Sequence, residues 1–359
     1  MPSIFERRLA LYKEWHDFVF FDREKGIFGL LNFAIYGNPY DVKRGYGGAL
    51  VFFVDSQGTA VTKMKLISLD KLHVTSFSPD FLSDDVTVSY QKNHSFKTKG
   101  KLDSVSFDLD FQVVLPPTTS REIVLDILSK HRLNTGMIQA AAEMSRLWDC
   151  WVELPRLNVS GEVALNGVTD SINTRTGYQD HEGGIFDWGS TWGWDTGVLL
   201  CDPSVGREPG KVSFLFYRFG PTDNLSHGGI VMEIENSKQK YFDSERINIS
   251  RTGNYSGDQK FCPGITRLLY PDYRPYIPRR ITFSGFNNSD KVKIVFTPMA
   301  VCNIVLSGIY SNAETIFHEM FCNAALSCLV DGQIYDGNIP CWFESVRPRG
   351  TVKKYALKA

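Results

Sequence analysis

Between Gly177 and Leu200 the chain gathers residue types that move protons and hold apolar molecules. The run Gly177-Tyr178-Gln179-Asp180-His181-Glu182-Gly183-Gly184 leads through Asp187-Trp188 to Trp192-Gly193-Trp194-Asp195. An aspartate beside a histidine can donate or accept a proton, because burial raises a carboxyl pKa and a neighbouring charge tunes it. That makes Asp180 and His181 the candidate catalytic residues. Tyr178, Trp188, Trp192 and Trp194 are candidate substrate contacts: their rings offer apolar area, and their faces stabilise a developing cation or pack a polyene. A purely structural reading competes, in which Asp180 caps a turn, His181 fills a hydrogen-bond gap and the tryptophans plug a barrel end.

Two further groups carry similar types. Glu14-Trp15-His16-Asp17 enters the first strand-like run, with Glu14 and Trp15 as candidate contacts and an ordinary charged strand start as the alternative. In Cys341-Trp342-Phe343-Glu344, Glu344 either faces water from a half-exposed strand or points into a pocket. His227-Gly228-Gly229 lacks the Gly-x-Ser-x-Gly elbow a hydrolase would need, so it reads as a turn. No phosphate-loop or dinucleotide fingerprint occurs, nor a His-x-x-x-His pattern, and His318-Glu319-Met320 reads as an isolated surface or strand feature. No cofactor or metal is expected.

The elements that must position these groups read as strands. Phe28–Tyr36, Gly48–Val54, Ala60–Leu69, Val86–Tyr90 and Ser104–Val114 are rich in β-branched and aromatic residues between Gly, Pro, Asn and Asp turns. Val105, Phe107 and Leu109 alternate with polar residues, the period of a strand with one wet face. Two short helices are expected at about 119–151. The first opens on the capping-box spacing Thr119 to Glu122, and the second runs from Met137 to Trp151 and ends at Pro155. Strands then resume at Val159–Leu165 and continue through Val212–Phe219, Gly229–Glu235, Arg279–Phe286, Lys291–Thr297, Val301–Tyr310 and Phe321–Val330. Regular short strands of this kind suggest antiparallel barrels or sandwiches.

The segment from Leu31 through Tyr36-Gly37 to Gly47-Gly48 is echoed by Leu215 through Phe219-Gly220 to Gly228-Gly229, which points to a duplicated β-domain. The Pro/Gly cluster at 201–210 sets the expected boundary, giving domains 1–203 and 204–359.

Composition removes several classes. With 359 residues, 43% apolar and 22% charged, the chain is long enough for two ordinary globular domains. A formal net charge of −1 without a basic stripe argues against a nucleic-acid partner. No apolar run reaches the roughly 18 residues of a membrane helix, which leaves room for peripheral membrane contact alone. The charged opening has no apolar leader core, and the seven cysteines show no Cys-x-x-Cys pair. A cytoplasmic protein with reduced thiols is therefore expected.

The motifs together resemble the AttH/hydroxyneurosporene-synthase group. Its mark is a Gly-Tyr-x-Asp-His-x-Trp-Gly stretch with a Trp-x-Trp soon after. Here Gly161 to Gly167 leads to Gly177-Tyr178-Gln179-Asp180-His181 and then to Trp192-Gly193-Trp194. Glu14-Trp15 is similar to the group's opening, and Asp331-Gly332 through Glu344 to its closing strand. The chain departs at Gly183-Gly184, where the group usually has Trp; Trp188 arrives later.

The resemblance implies an all-β chain with minor helix: two lipocalin-like antiparallel domains with a pocket at or near their junction. It further implies a cofactor-independent enzyme acting on a hydrophobic, polyunsaturated small molecule, as carotenoid hydratases and lipocalin-like Diels–Alderases do. Cyclisation of an isoprenoid or polyketide-type substrate, started by protonation or pericyclic, is the first expectation. Hydration of a C=C bond and plain carriage of a lipid or pigment are the alternatives.

Overall fold

The computed structural model describes residues 12–38, 45–74, 80–91, 95–115, 118–119, 150–185, 192–219, 225–234, 238–262, 275–307 and 314–348. Two compact units divide between Asp187 and Trp188.

The first unit holds β1 (Tyr12–Asp22), β2 (Ile27–Gly37), β3 (Gly45–Val54), β4 (Ala60–Ser68), β5 (His73–Val74), β6 (Phe81–Leu82), β7 (Val86–Gln91), β8 (Ser95–Leu102), β9 (Val105–Val113), β10 (Thr118–Thr119), β11 (Cys150–Leu165) and β12 (Val168–Ile185). The second holds β13 (Trp192–Leu199), β14 (Lys211–Phe219), β15 (Leu225–Ile234), β16 (Lys238–Asp243), β17 (Ile247–Thr252), β18 (Gln259–Cys262), β19 (Arg280–Asn287), β20 (Asp290–Ser307), β21 (Glu314–Val330) and β22 (Gln333–Pro348).

Each unit is one curled, nearly closed sheet of lipocalin-like type. All pairings are antiparallel except β18 with β20. The strand orders coincide. In the first unit β4-β3-β2-β1 is joined to β12-β11-β9-β8; in the second β16-β15-β14-β13 is joined to β22-β21-β20-β19. In both, the first strand of the unit zips onto its last. The Gly-Gly echo seen in the sequence falls on equivalent hairpins, β2–β3 and β14–β15.

The final hairpins are equivalent too. Asn166-Gly167 joins β11 to β12 and Asp331-Gly332 joins β21 to β22, with φ of 52° and 87° in one and 50° and 78° in the other. Left-handed values at both central positions are what a two-residue loop needs to follow the strand twist.

Three expectations about elements change. β13 pairs with β14 and β22, so Trp192–Leu199 belongs to the second unit and the division precedes the Pro/Gly cluster at 201–210. Cys150 and Trp151 begin strand β11, and Pro155 lies inside it where the register shifts between Leu154 and Leu157. Proline cannot donate to a ladder, and a bulge is where a strand tolerates it. Pro298 does the same in β20, joining what reads as two strands, with a shift between Pro298 and Ala300. The remainder of the two expected helices, 120–149, lies outside the described residues. Among the described residues no helix is long and apolar enough to cross a membrane.

Each sheet encloses its own core. Alternation on β9 buries Val105, Phe107 and Leu109 as the pattern requires. In the first unit Phe18, Phe33, Phe107 and Phe111 meet inside the curl; in the second Phe214 touches Phe283, Phe296 and Phe343 at centroid distances of 5.1, 5.2 and 4.9 Å. Close-packed rings leave little freedom to collapse around a deletion. Phe214→Ala should therefore cost about 3–5 kcal/mol in equilibrium denaturation.

Cys201, Cys262, Cys302, Cys322, Cys328 and Cys341 are buried. Burial holds the Cys328 thiol up at about 12, so they serve as packing.

Candidate functional site

Asp180 and His181 are neighbours in sequence and belong to opposite faces of β12, because successive side chains on a strand point to opposite sides. In the ladder between β1 and β12, His181 lies opposite His16 and Asp180 opposite Asp17. His16 shares its face with Phe18 and Phe20 of the barrel core, so His181 faces inward and Asp180 outward. The two expected catalytic residues therefore work in separate surroundings. Each takes its partner from the adjacent strand or from two residues away.

The inward group consists of Tyr12, Glu14, His16, Gln179 and His181. The carboxylate of Glu14 accepts from the Tyr12 hydroxyl, and its Oε1 lies 2.7 Å from His181 Nε2. The His16 and His181 rings stack with centroids 3.8 Å apart. The Gln179 amide donates to the Asp180 carbonyl at 2.5 Å and sits 3.4 Å from His16 Nδ1. Glu14 and His16 are buried, and 12% of the His181 side chain is exposed. A donor set of two imidazoles and a carboxylate, all within 4.8 Å of one another, is the composition of a metal site.

The outward face of the same seam is buried as well. Tyr178 Oη donates to Asp180 Oδ2 at 3.2 Å, and Asn32 Nδ2 donates to Asp17 Oδ1 at 2.7 Å. Trp15 lies opposite Glu182. Tyr178 and Trp15 thus join Asp180 on one face.

The second unit repeats this placement with different residues. On the outward face of β13, β22 and β21, the Trp194 indole donates to Glu344 Oε1 at 2.5 Å and the Trp342 indole to Glu319 Oε2 at 2.8 Å. Glu319 and Glu344 are directly opposite in the ladder and hydrogen-bond to each other. Two carboxyls joined that way share one proton. Burial, with the nearby charge of Asp195 adding to it, raises the Glu344 carboxyl above the usual range, against the opposing hydrogen bonds from Glu319 and Trp194. Phe317 closes edge-on against Trp194 at 5.9 Å. The result is a buried carboxyl pair, with Glu344 biased towards its protonated form, set among aromatic rings.

The inward face of this unit holds Asp195, fully buried. Its Oδ2 takes Arg251 Nη2 at 2.5 Å, and its Oδ1 takes Ser345 and lies 3.3 Å from Arg347 Nη1. Further in, His318 Nδ1 is 2.7 Å from Asn303 Oδ1.

Glu344 and Trp194 therefore meet, as do Glu14 and His181, and Tyr178 and Asp180. Trp188 lies outside the described residues; Trp192 opens β13, paired with Phe219. Glu319, Trp342 and His16 were not singled out. Glu319 had a usable signal: from Glu319 to Glu344 the sequence runs through one two-residue Asp331-Gly332 turn, whose register sets the two opposite each other. His318-Glu319-Met320 is a buried strand segment and not a surface feature.

No protein-family model matches the chain, and no curated protein matches it by sequence. Solved structures do match in fold. An AttH candidate from Nitrosomonas europaea superposes with a TM-score of 0.63 at 12% identity, over 98% of this chain and 96% of that one. Kievitone hydratase from Nectria haematococca gives 0.57 at 11%, over 97% and 93%, and CghA with Sch210972 gives 0.52 at 9%, over 94% and 89%. The fold implied by the sequence resemblance is the fold of this chain.

Proposed function

We propose that this protein is an enzyme that uses a buried carboxylic acid to rearrange an apolar, polyunsaturated small molecule, with the Glu319–Glu344 pair as the acid. The observation that carries this reading is the buried, directly opposed Glu319–Glu344 pair, held among Trp194, Trp342 and Phe317. A carboxyl whose pKa is raised by burial keeps its proton to higher pH than an exposed one, which favours donation. The indoles meet the two carboxyls with their N–H edges, and a substrate lying against the ring faces would have the cation formed by protonation of a double bond stabilised there. Delivered to a carbon–carbon double bond, the proton starts cyclisation; held in a hydrogen bond to a carbonyl, it polarises a substrate folded for a pericyclic closure. Neither route needs a redox cofactor. Asp180 with Tyr178 is the corresponding acid candidate of the first unit.

Hydration is the second reading, favoured by the likeness in fold to kievitone hydratase. There the same protonation would be followed by capture of water. Carriage of an intact lipid fits less well, because phenylalanines fill the two barrel interiors where a lipocalin calyx would hold its ligand.

The test is mass spectrometry of the native protein before and after incubation with a lipid-soluble extract of its source cells. A product of unchanged mass that needs Glu344 supports the cyclase, and a gain of one water supports the hydratase. A co-purified ligand released unchanged, with no product from any fraction, would overturn the enzyme reading.

A further inference from the structure

We propose that Glu14, His16 and His181, on the inward face of the first unit, form a binding site for one first-row divalent transition ion, with zinc as the simplest occupant. The strand geometry places the donors. His16 and His181 are directly opposed across the ladder between β1 and β12, and Glu14 lies two residues before His16 on the same face. Their ligand atoms all lie within 4.8 Å of one another. Metal bonds of about 2.0–2.2 Å would draw them to roughly 3–4 Å apart, which requires the stacked His16 and His181 rings to turn so that both nitrogens aim at one point.

The donor chemistry is that of a borderline ion: two imidazole nitrogens suit zinc, iron, cobalt or nickel, and the single carboxylate adds charge.

Two supports are already in place. Tyr12 donates to the Glu14 carboxylate and the Gln179 amide abuts His16, the kind of outer contacts that orient metal ligands. Opposite Glu14 stands Gly183. A Cβ there would sit 3.4 Å from the Lys13 carbonyl and 3.6 Å from Glu14 Cγ, and no larger side chain lies over the carboxylate from that position. Three protein ligands of these types are the set of a zinc site that keeps a fourth position for a water or a substrate oxygen, in contrast to a closed four-ligand structural site. The His181 edge, 12% exposed, gives the ion a way in.

The site lies in a different unit from Glu319 and Glu344, so it stands or falls separately from the proposed reaction. The experiment uses the full chain stripped with a chelator and titrated with Zn2+ by calorimetry and with Co2+ by visible absorption. One ion per chain is expected, with a cobalt spectrum of low coordination number. Glu14→Gln and His181→Gln keep side-chain size, and His16→Ala removes a ligand outright. Each should weaken Zn2+ binding about 100-fold or more, beyond the roughly 10–100-fold that loss of a merely supporting group costs. Circular dichroism identifies variants that remain folded, and the two glutamine variants give the comparison if His16→Ala does not. A parent chain that binds no Zn2+, or folded glutamine variants that bind as tightly as the parent, would overturn the site.

Discussion

Glu344→Gln is expected to lower turnover by about a hundred- to ten-thousand-fold, the usual yield of a positioned general acid, while the protein stays folded and binds its substrate nearly as well. The amide keeps the size of the side chain and still accepts from the Trp194 indole, so packing on β13, β21 and β22 is preserved. What disappears is the transferable proton. A role for Glu344 in binding alone would instead appear as a raised KM with kcat unchanged.

The same variant carries a pH signature. Glu344 faces Glu319 on β21 and Trp194 on β13, the charge of Asp195 acts on it from the other face of the sheet, and burial is the largest cause of its raised pKa. A group whose folded pKa exceeds its unfolded value stabilises the native state at low pH, and that contribution fades as pH rises through the folded pKa. The parent protein should therefore lose stability on the alkaline side of the ordinary carboxylate range, and Glu344→Gln should show a flatter profile there. Urea midpoints measured across pH for both proteins check this.

Asp195→Asn is expected to cost about 3 kcal/mol of stability, through lost charge rather than lost packing. Asp195 is fully buried and takes Arg251 and Arg347, whose side chains are 20% and 12% exposed. Removing the charge leaves two guanidiniums in poorly solvated positions, and breaking one side of a buried ion pair is costly for that reason. Asparagine retains the hydrogen bond to Ser345, so the loss reports charge more than shape. Thermal and urea unfolding of the folded variant give the measurement. A change below about 0.5 kcal/mol, the scale of an ordinary surface substitution, would show that water serves the arginines as well as Asp195 does.

Much of the fold was legible. Strand period, turn residues and the repeated Gly-Gly hairpins together pointed to two antiparallel β-domains of one design. The strands with a wet face, such as β9, were the clearest, because alternation marks both their type and their inward residues. The division between units was harder to read, since a Pro/Gly cluster marks a loop without saying which sheet the preceding strand joins. Pro155 and Pro298 misled for a related reason: a proline stops a helix, whereas a bulged strand accommodates it.

At the site, residue types were informative and adjacency was not. Asp180-His181 looks like a couple when read along the chain, and the period of two in a strand separates them. The partners that matter, Glu14 for His181 and Glu319 for Glu344, come from ladder registers. A ladder becomes readable only when the turn that sets it is short, as at Asp331-Gly332. Glu14 and His181 lie too far apart in the chain for any local pattern to pair them.

The most direct test of the acid is infrared difference spectroscopy of the native protein at neutral pH, with Glu344→Gln and Glu319→Gln for comparison. The expected result is a protonated-carboxyl stretch in the parent that is altered or lost in both variants and fades from the parent as pH rises. A parent spectrum without that band, or one that neither variant changes, would contradict the shared proton and with it the acid this protein is proposed to use.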